Sequence, residues 1–87
     1  MPLYRMVHSN GDYVLTGDPN GMLQYGYRDE GVIGYMATTQ MPGTMPLYRL
    51  VKRDGSGHFF TASAEERAQT LRRGWRDEGI TGYIWPQ

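Results

Sequence analysis

Apolar and polar residues alternate with a period of two in short runs interrupted by glycine, a pattern that predicts strands. Residues 3–7 and 47–51 mix apolar, aromatic and β-branched side chains, as strands do. On the first run Leu3, Arg5 and Val7 share one face and Tyr4 and Met6 the other; Leu47, Arg49 and Val51 stand against Tyr48 and Leu50 in the same way. An arginine between apolar neighbours predicts a partly buried guanidinium, which requires an acidic partner. Asn10-Gly11 and Asp54-Gly55 are hairpin signals, so second strands are expected at residues 13–16 and 58–61. Ser63 followed by Glu66 reads as a helix N-cap with a capping box, Ala64, Ala68 and Leu71 fall on one helical face, and Gly74 is a natural stop. Asp18-Pro19 and Gly26 frame only one or two helical turns. Last strands are expected at residues 32–36 and 80–84. There Val32, Gly34 and Met36, and Ile80, Gly82 and Ile84, look inward, and Tyr35, Tyr83 and Trp85 face the other way.

The chain reads as one unit written twice. Met1-Pro2-Leu3-Tyr4-Arg5 recurs as Met45-Pro46-Leu47-Tyr48-Arg49, and Gly26-Tyr27-Arg28-Asp29-Glu30-Gly31 returns as Gly74-Trp75-Arg76-Asp77-Glu78-Gly79. The expected organisation is a single domain over 1–87, with repeat one at 1–36, a turn-forming connector at 37–44 and repeat two at 45–87. The fold class is α+β and sheet-dominant. It comprises two strand–strand–helix–strand repeats packed with pseudo-twofold symmetry, the helix short or missing in the first.

Composition narrows the function classes. The chain has 87 residues, nine basic and nine acidic side chains, and no cysteine. Disulfides and cysteine-based zinc or iron–sulfur sites are therefore excluded, and zero net charge argues against broad nucleic-acid binding. No apolar stretch approaches the roughly 20 residues of a membrane span, and no signal-peptide pattern opens the chain. The lack of cysteine fits a reducing compartment but decides little, so localisation stays open.

Candidate chemistry centres on the repeated Arg-Asp-Glu-Gly. As a turn, Gly supplies positive φ, Asp caps it, and a carboxylate pairs with Arg5 or Arg49. As a pocket, Arg and Asp hydrogen-bond sugar hydroxyls while Tyr27 or Trp75 stacks on the pyranose face. Both readings stand together if Glu is structural and Asp faces the ligand. The binding residues expected are Tyr27, Arg28, Asp29 and Tyr35 in the first unit, and Trp75, Arg76, Asp77 and Tyr83 in the second. Asn10, Asp12, Asp54 and His58 sit at the rim, and Trp85, near the chain end, is docked or exposed for contact. No catalytic residue is expected, because adjacent carboxylates diverge on an extended chain and no nucleophile–base–orienter set appears. His58 beside Phe59 reads as a packed or hydrogen-bonding residue, and the Asp54-Gly55-Ser56-Gly57 loop lacks the further ligands of a calcium site. No metal or cofactor is expected. The six methionines read as core fillers and turn neighbours.

Leu47-Tyr48-Arg49, His58-Phe59-Phe60-Thr61, Ser63-Ala64-Glu65-Glu66-Arg67 and Glu78-Gly79-Ile80 resemble an uncharacterised tandem repeat family of secreted bacterial and fungal proteins. The first unit departs from that pattern, with Tyr13 in place of the histidine and no Glu-Arg in its helix. The family is commonly attached to hydrolases, so the resemblance implies a lectin-like or cell-wall-binding accessory role and a secreted or cell-surface location. The expected function is a non-enzymatic module binding carbohydrate or a cell-envelope glycan, with one similar site per repeat. The alternatives are a structural or protein-interaction repeat that self-associates, and a small glycan hydrolase. A homodimer would cover open sheet edges.

Overall fold

In the computed structural model, which describes residues 1–86, two three-stranded antiparallel sheets are accompanied by two short helices. The first sheet is built from β1 (Pro2–His8), β2 (Tyr13–Thr16) and β3 (Tyr27–Tyr35), with α1 (Pro19–Leu23) between β2 and β3. The second contains β4 (Met45–Val51), β5 (His58–Thr61) and β6 (Arg76–Ile84), with α2 (Ala64–Arg72) before β6. The strand orders are β2-β1-β3 and β5-β4-β6. The shortest strands arise where the hairpin signals predict them, and the turns that follow the helices close on Gly26 and Gly74, whose φ values of 86° and 94° suit a residue without a Cβ.

The last strands differ from expectation. β3 begins one residue before Arg-Asp-Glu-Gly and β6 begins at its arginine, so the motif lies within the strand, as a pair of bulges. Tyr4 faces Val32 while Met6 faces Asp29, and Tyr48 faces Ile80 while Leu50 faces Asp77, an extra residue each time on the outer strand. A second extra residue enters between Leu3 and Tyr4, and between Leu47 and Tyr48. Gly31 and Gly79 both sit at φ 97°, which the bulged backbone requires, and the Asp29 and Asp77 Oδ1 atoms accept from the N–H of Gly31 (2.7 Å) and Gly79 (2.8 Å).

Bulges also undo the simple period-two faces. On β1 the buried residues are Leu3 and Met6, three apart, and on β4 they are Leu47, Leu50 and Val51, so both faces of each strand are used, whereas Arg5 is exposed. A bulged partner increases local twist, so a strand turns its core-facing side partway along its length. For the same reason Val32 (47% exposed) and Ile80 (48% exposed) leave the core, whereas Met36 and Gly82 enter it.

Leu3, Met6, Val14, Met36, Leu47 and Phe60 form one hydrophobic cluster drawn from both sheets. The two sheets meet along β2 and β5. The connector also joins the structure, because Ala37 exchanges backbone hydrogen bonds with Tyr83 at 2.8 and 2.9 Å. Met41 and Met1 remain exposed at the surface.

Candidate functional site

The β1–β2 hairpin sends Asp12 across the joint between the sheets. Asn10 Oδ1 accepts from the Asp12 N–H at 2.8 Å and holds the turn. Asp12 Oδ1 accepts from the His58 backbone N–H at 2.7 Å, and Oδ2 lies 2.7 Å from His58 Nδ1 and accepts from the Tyr27 hydroxyl at 2.5 Å. Both carboxylate oxygens are therefore committed, and the carboxyl is buried.

Burial by itself would raise the Asp12 pKa, but the hydrogen bonds from Tyr27 and His58 and the charge of His58 outweigh it and hold the carboxyl below its ordinary value. Burial, together with the hydrogen bond to Asp12 and its charge, pushes the Tyr27 phenol up to about 12, against the opposing pull of Arg49.

Beyond His58 the network continues. Nε2 lies 3.3 Å from Arg49 Nη2 and 3.3 Å from Glu78 Oε1, and Arg49 Nε donates to Glu78 at 2.9 Å. This nitrogen faces both a donor and an acceptor, so either protonation state finds a partner. Arg49 thus acquires the acidic partner its position demands. In the first sheet Arg5 pairs with Glu30 at 3.5 Å, but both side chains are largely exposed.

One side of this network lines a hollow of about 480 Å³, which His8, Asn10, Met22, Tyr25, Arg49 and Ser56 also border. Tyr25, at the end of α1, is 64% exposed, and the Tyr27 ring is fixed edge-on against His8 with centroids 5.0 Å apart. Such a hollow offers a wet aromatic face beside convergent donors and acceptors, the chemistry that holds a polar ligand with an apolar face. Among the described residues no group of three or more His, Asp or Glu could hold a metal ion.

Of the residues singled out by sequence, Asn10, Asp12, Tyr27 and His58 come together here. Asp54 lies on the neighbouring hairpin, accepting from Ser56 N at 2.9 Å, and Ser56 hydrogen bonds hold its carboxyl below the usual range. Trp75 lines a second hollow of about 340 Å³. Arg28 and Arg76 do not line the hollows of the rings that precede them; Tyr27 and Arg28 are successive residues of β3, which point to opposite faces. Asp29 caps its bulge, and so does Asp77, which also pairs with Arg67; the Gly79 N–H and then the Arg67 guanidinium lower the Asp77 pKa. Tyr83 is half-buried at the connector. Tyr35 and Trp85, 70% and 49% exposed, border a third hollow of about 420 Å³ with Ile33 and Ile84.

Sequence reasoning did not include Tyr25, His8, Arg49 or Glu78 among the site residues. The signal for Arg49 was its place between apolar neighbours; for Tyr25 it was an aromatic ring immediately before the helix-stopping Gly26.

A small antiparallel α+β domain with a polar hollow at its internal joint is the class these features define. The chain belongs to the family described as a domain of unknown function (DUF5648), whose model matches residues 1–85. No curated protein and no solved structure matches it. Among the described residues no helix is long and apolar enough to cross a membrane.

Proposed function

We propose that the protein is a non-enzymatic carbohydrate-binding module, lectin-like and directed at a cell-envelope glycan. The observation that carries this reading is the exposed Tyr25 ring beside Asn10, Arg49 and His58 in one hollow. A pyranose presents an apolar C–H face to the ring and hydroxyls to the polar groups. Binding is favoured over acid–base chemistry because Asp12 has both oxygens occupied by Tyr27 and His58.

The chain is a single domain made of a duplicated unit, 1–36 and 45–87 around the connector 37–44, packed with pseudo-twofold symmetry. The matching element order and matching bulge registers support this. Each unit then offers one related site. Tyr27 beside His8 has its counterpart in Trp75 beside Lys52, and two weak sites on one molecule gain avidity on a repetitive surface.

A glycan array followed by titration calorimetry tests the reading. Saccharide binding is expected, weakened about tenfold by Tyr25→Ala, the equivalent of about 1.4 kcal/mol. An array with no binding at high protein concentration overturns it.

Self-association is a second reading, favoured by the exposed Tyr35, Ile33 and Trp85 side chains. Sedimentation should then show a concentration-dependent dimer that Tyr35→Ser and Trp85→Ser reduce to monomer. A clean monomer at high concentration dismisses it.

A further inference from the structure

The second hollow carries a chemistry the first lacks. It is lined by Lys52 and Arg53, which follow β4, by Arg72 and Arg73 at the end of α2, and by Gly74 and Trp75. Gly74 lets the chain reverse at φ 94°, bringing the end of α2 beside the hairpin that Lys52 opens, where Lys52 N donates to Gly57 O at 2.9 Å. Trp75 is held edge-on to Phe59 with centroids 6.4 Å apart, and the Lys52 ammonium stands 6.0 Å from the indole centroid.

The helix dipole accounts for basic residues in the last turn of α2. It does not account for Lys52 and Arg53, which arrive from another element. These four are among the nine Lys and Arg of a chain with zero net charge, so positive charge is concentrated here and offset elsewhere. None of the four makes an ion pair among the described residues. Asp54 is the carboxylate near Lys52, and it is turned to Ser56. Aligned on the helix-stopping glycines and the duplicated first strands, Arg72, Arg73, Lys52 and Arg53 take the places of Gln24, Tyr25, His8 and Ser9. The same framework is therefore neutral in one half and cationic in the other.

The two hollows are also joined. A shallow space of about 280 Å³ between them is bordered by Asn10, Asp12, Ser56 and His58 from the first and by Lys52 and Trp75 from the second. We infer that an extended acidic saccharide lies along this groove, with a carboxylate, sulfate or phosphate group seated among Lys52, Arg72 and Arg73 beside the Trp75 ring. This rests on the carbohydrate-binding reading and adds the class of glycan. Forked guanidinium donors suit such oxyanions, and an indole face suits the sugar ring that carries them.

The test is an array of uronate-, sulfate- and phosphate-bearing oligosaccharides printed beside their neutral parents, with a single-stranded oligonucleotide as a separate arm. Binding enriched in acidic glycans is expected; the three acidic sets distinguish the source of the anion. Arg72→Gln with Arg73→Gln should weaken the acidic ligands about tenfold and leave the neutral parents unchanged. Raising ionic strength from about 0.01 M to about 1 M, which shortens the Debye length from about 30 Å to about 3 Å, should erase the preference. Both arginines are exposed, and an unchanged thermal unfolding curve verifies that the variant is folded. Equal binding of acidic and neutral glycans, or acidic binding that survives in the double variant, overturns this inference and leaves the carbohydrate reading intact. Oligonucleotide binding that exceeds glycan binding overturns it in favour of a nucleic acid. No binding of any glycan overturns both.

Discussion

At the scale of single residues, Asp12 does most to define the molecule. Its side chain receives the backbone and ring of His58 and the Tyr27 hydroxyl, so three groups from two separate segments converge on two oxygens. The folded carboxyl titrates below its ordinary value of 3.8, so its contribution to stability is complete above that value and is lost as pH falls through the folded pKa. Urea unfolding as a function of pH should show this acid-side loss in the wild type and a smaller one in Asp12→Asn. The comparison is needed because Asp54 and Asp77 are lowered as well. At neutral pH Asp12→Asn should cost about 2 kcal/mol, because an amide cannot satisfy three donors in a buried place. Tyr27 acts at the other end of the scale. Its phenol rises from 10.0 to about 12, so its contribution is complete below pH 10 and disappears as pH climbs through the folded value; Tyr27→Phe should lack this alkaline loss in the same titration.

At the scale of elements, the twin bulges decide where side chains go. Nothing lies within 4 Å of a Cβ added at Gly31 or Gly79, so an alanine meets no steric neighbour and its cost is that of a positive φ. Gly31→Ala and Gly79→Ala should each destabilise by about 1–2 kcal/mol in urea unfolding, and by similar amounts, since both occupy one register. Helix α2 is capped by Ser63, whose Oγ accepts from Glu66 N at 3.1 Å; Ser63→Ala should cost about 1 kcal/mol. The expected capping box closes on one side only, because the Glu66 carboxylate takes the Thr61 hydroxyl at 2.5 Å and Ser63 N donates to that same hydroxyl. Hairpins, caps and stops were legible in the sequence because each depends on neighbours a few residues apart. The bulges were not. Asp29-Glu30-Gly31 announces a positive φ, but whether that glycine ends a strand or kinks one depends on β1 lying alongside.

At the scale of the whole molecule, the halves complete each other. The core cluster draws Val14 from one and Phe60 from the other, Tyr13 and Phe60 pack with centroids 5.6 Å apart, and Phe60 N donates to the Tyr13 hydroxyl at 3.3 Å. Cutting the chain within 37–44 would expose that cluster. Peptides 1–40 and 45–87 should each lack the far-ultraviolet dichroism of the intact protein, and the full chain should unfold in a single transition.

Strand alternation, turn chemistry and the letter-for-letter duplication of Met-Pro-Leu-Tyr-Arg determined by themselves the element order, the antiparallel hairpins and the need of Arg49 for a carboxylate. These features rest on interactions short in sequence or on composition within one element. Tertiary structure alone decided that Asp12 reaches His58 across 46 positions, that Tyr25 joins Tyr27 in a hollow, and that Lys52 and Arg73 meet around Trp75. Such meetings depend on how two sheets, each twisted by its bulges, settle against a shared core, and no local pattern encodes that angle.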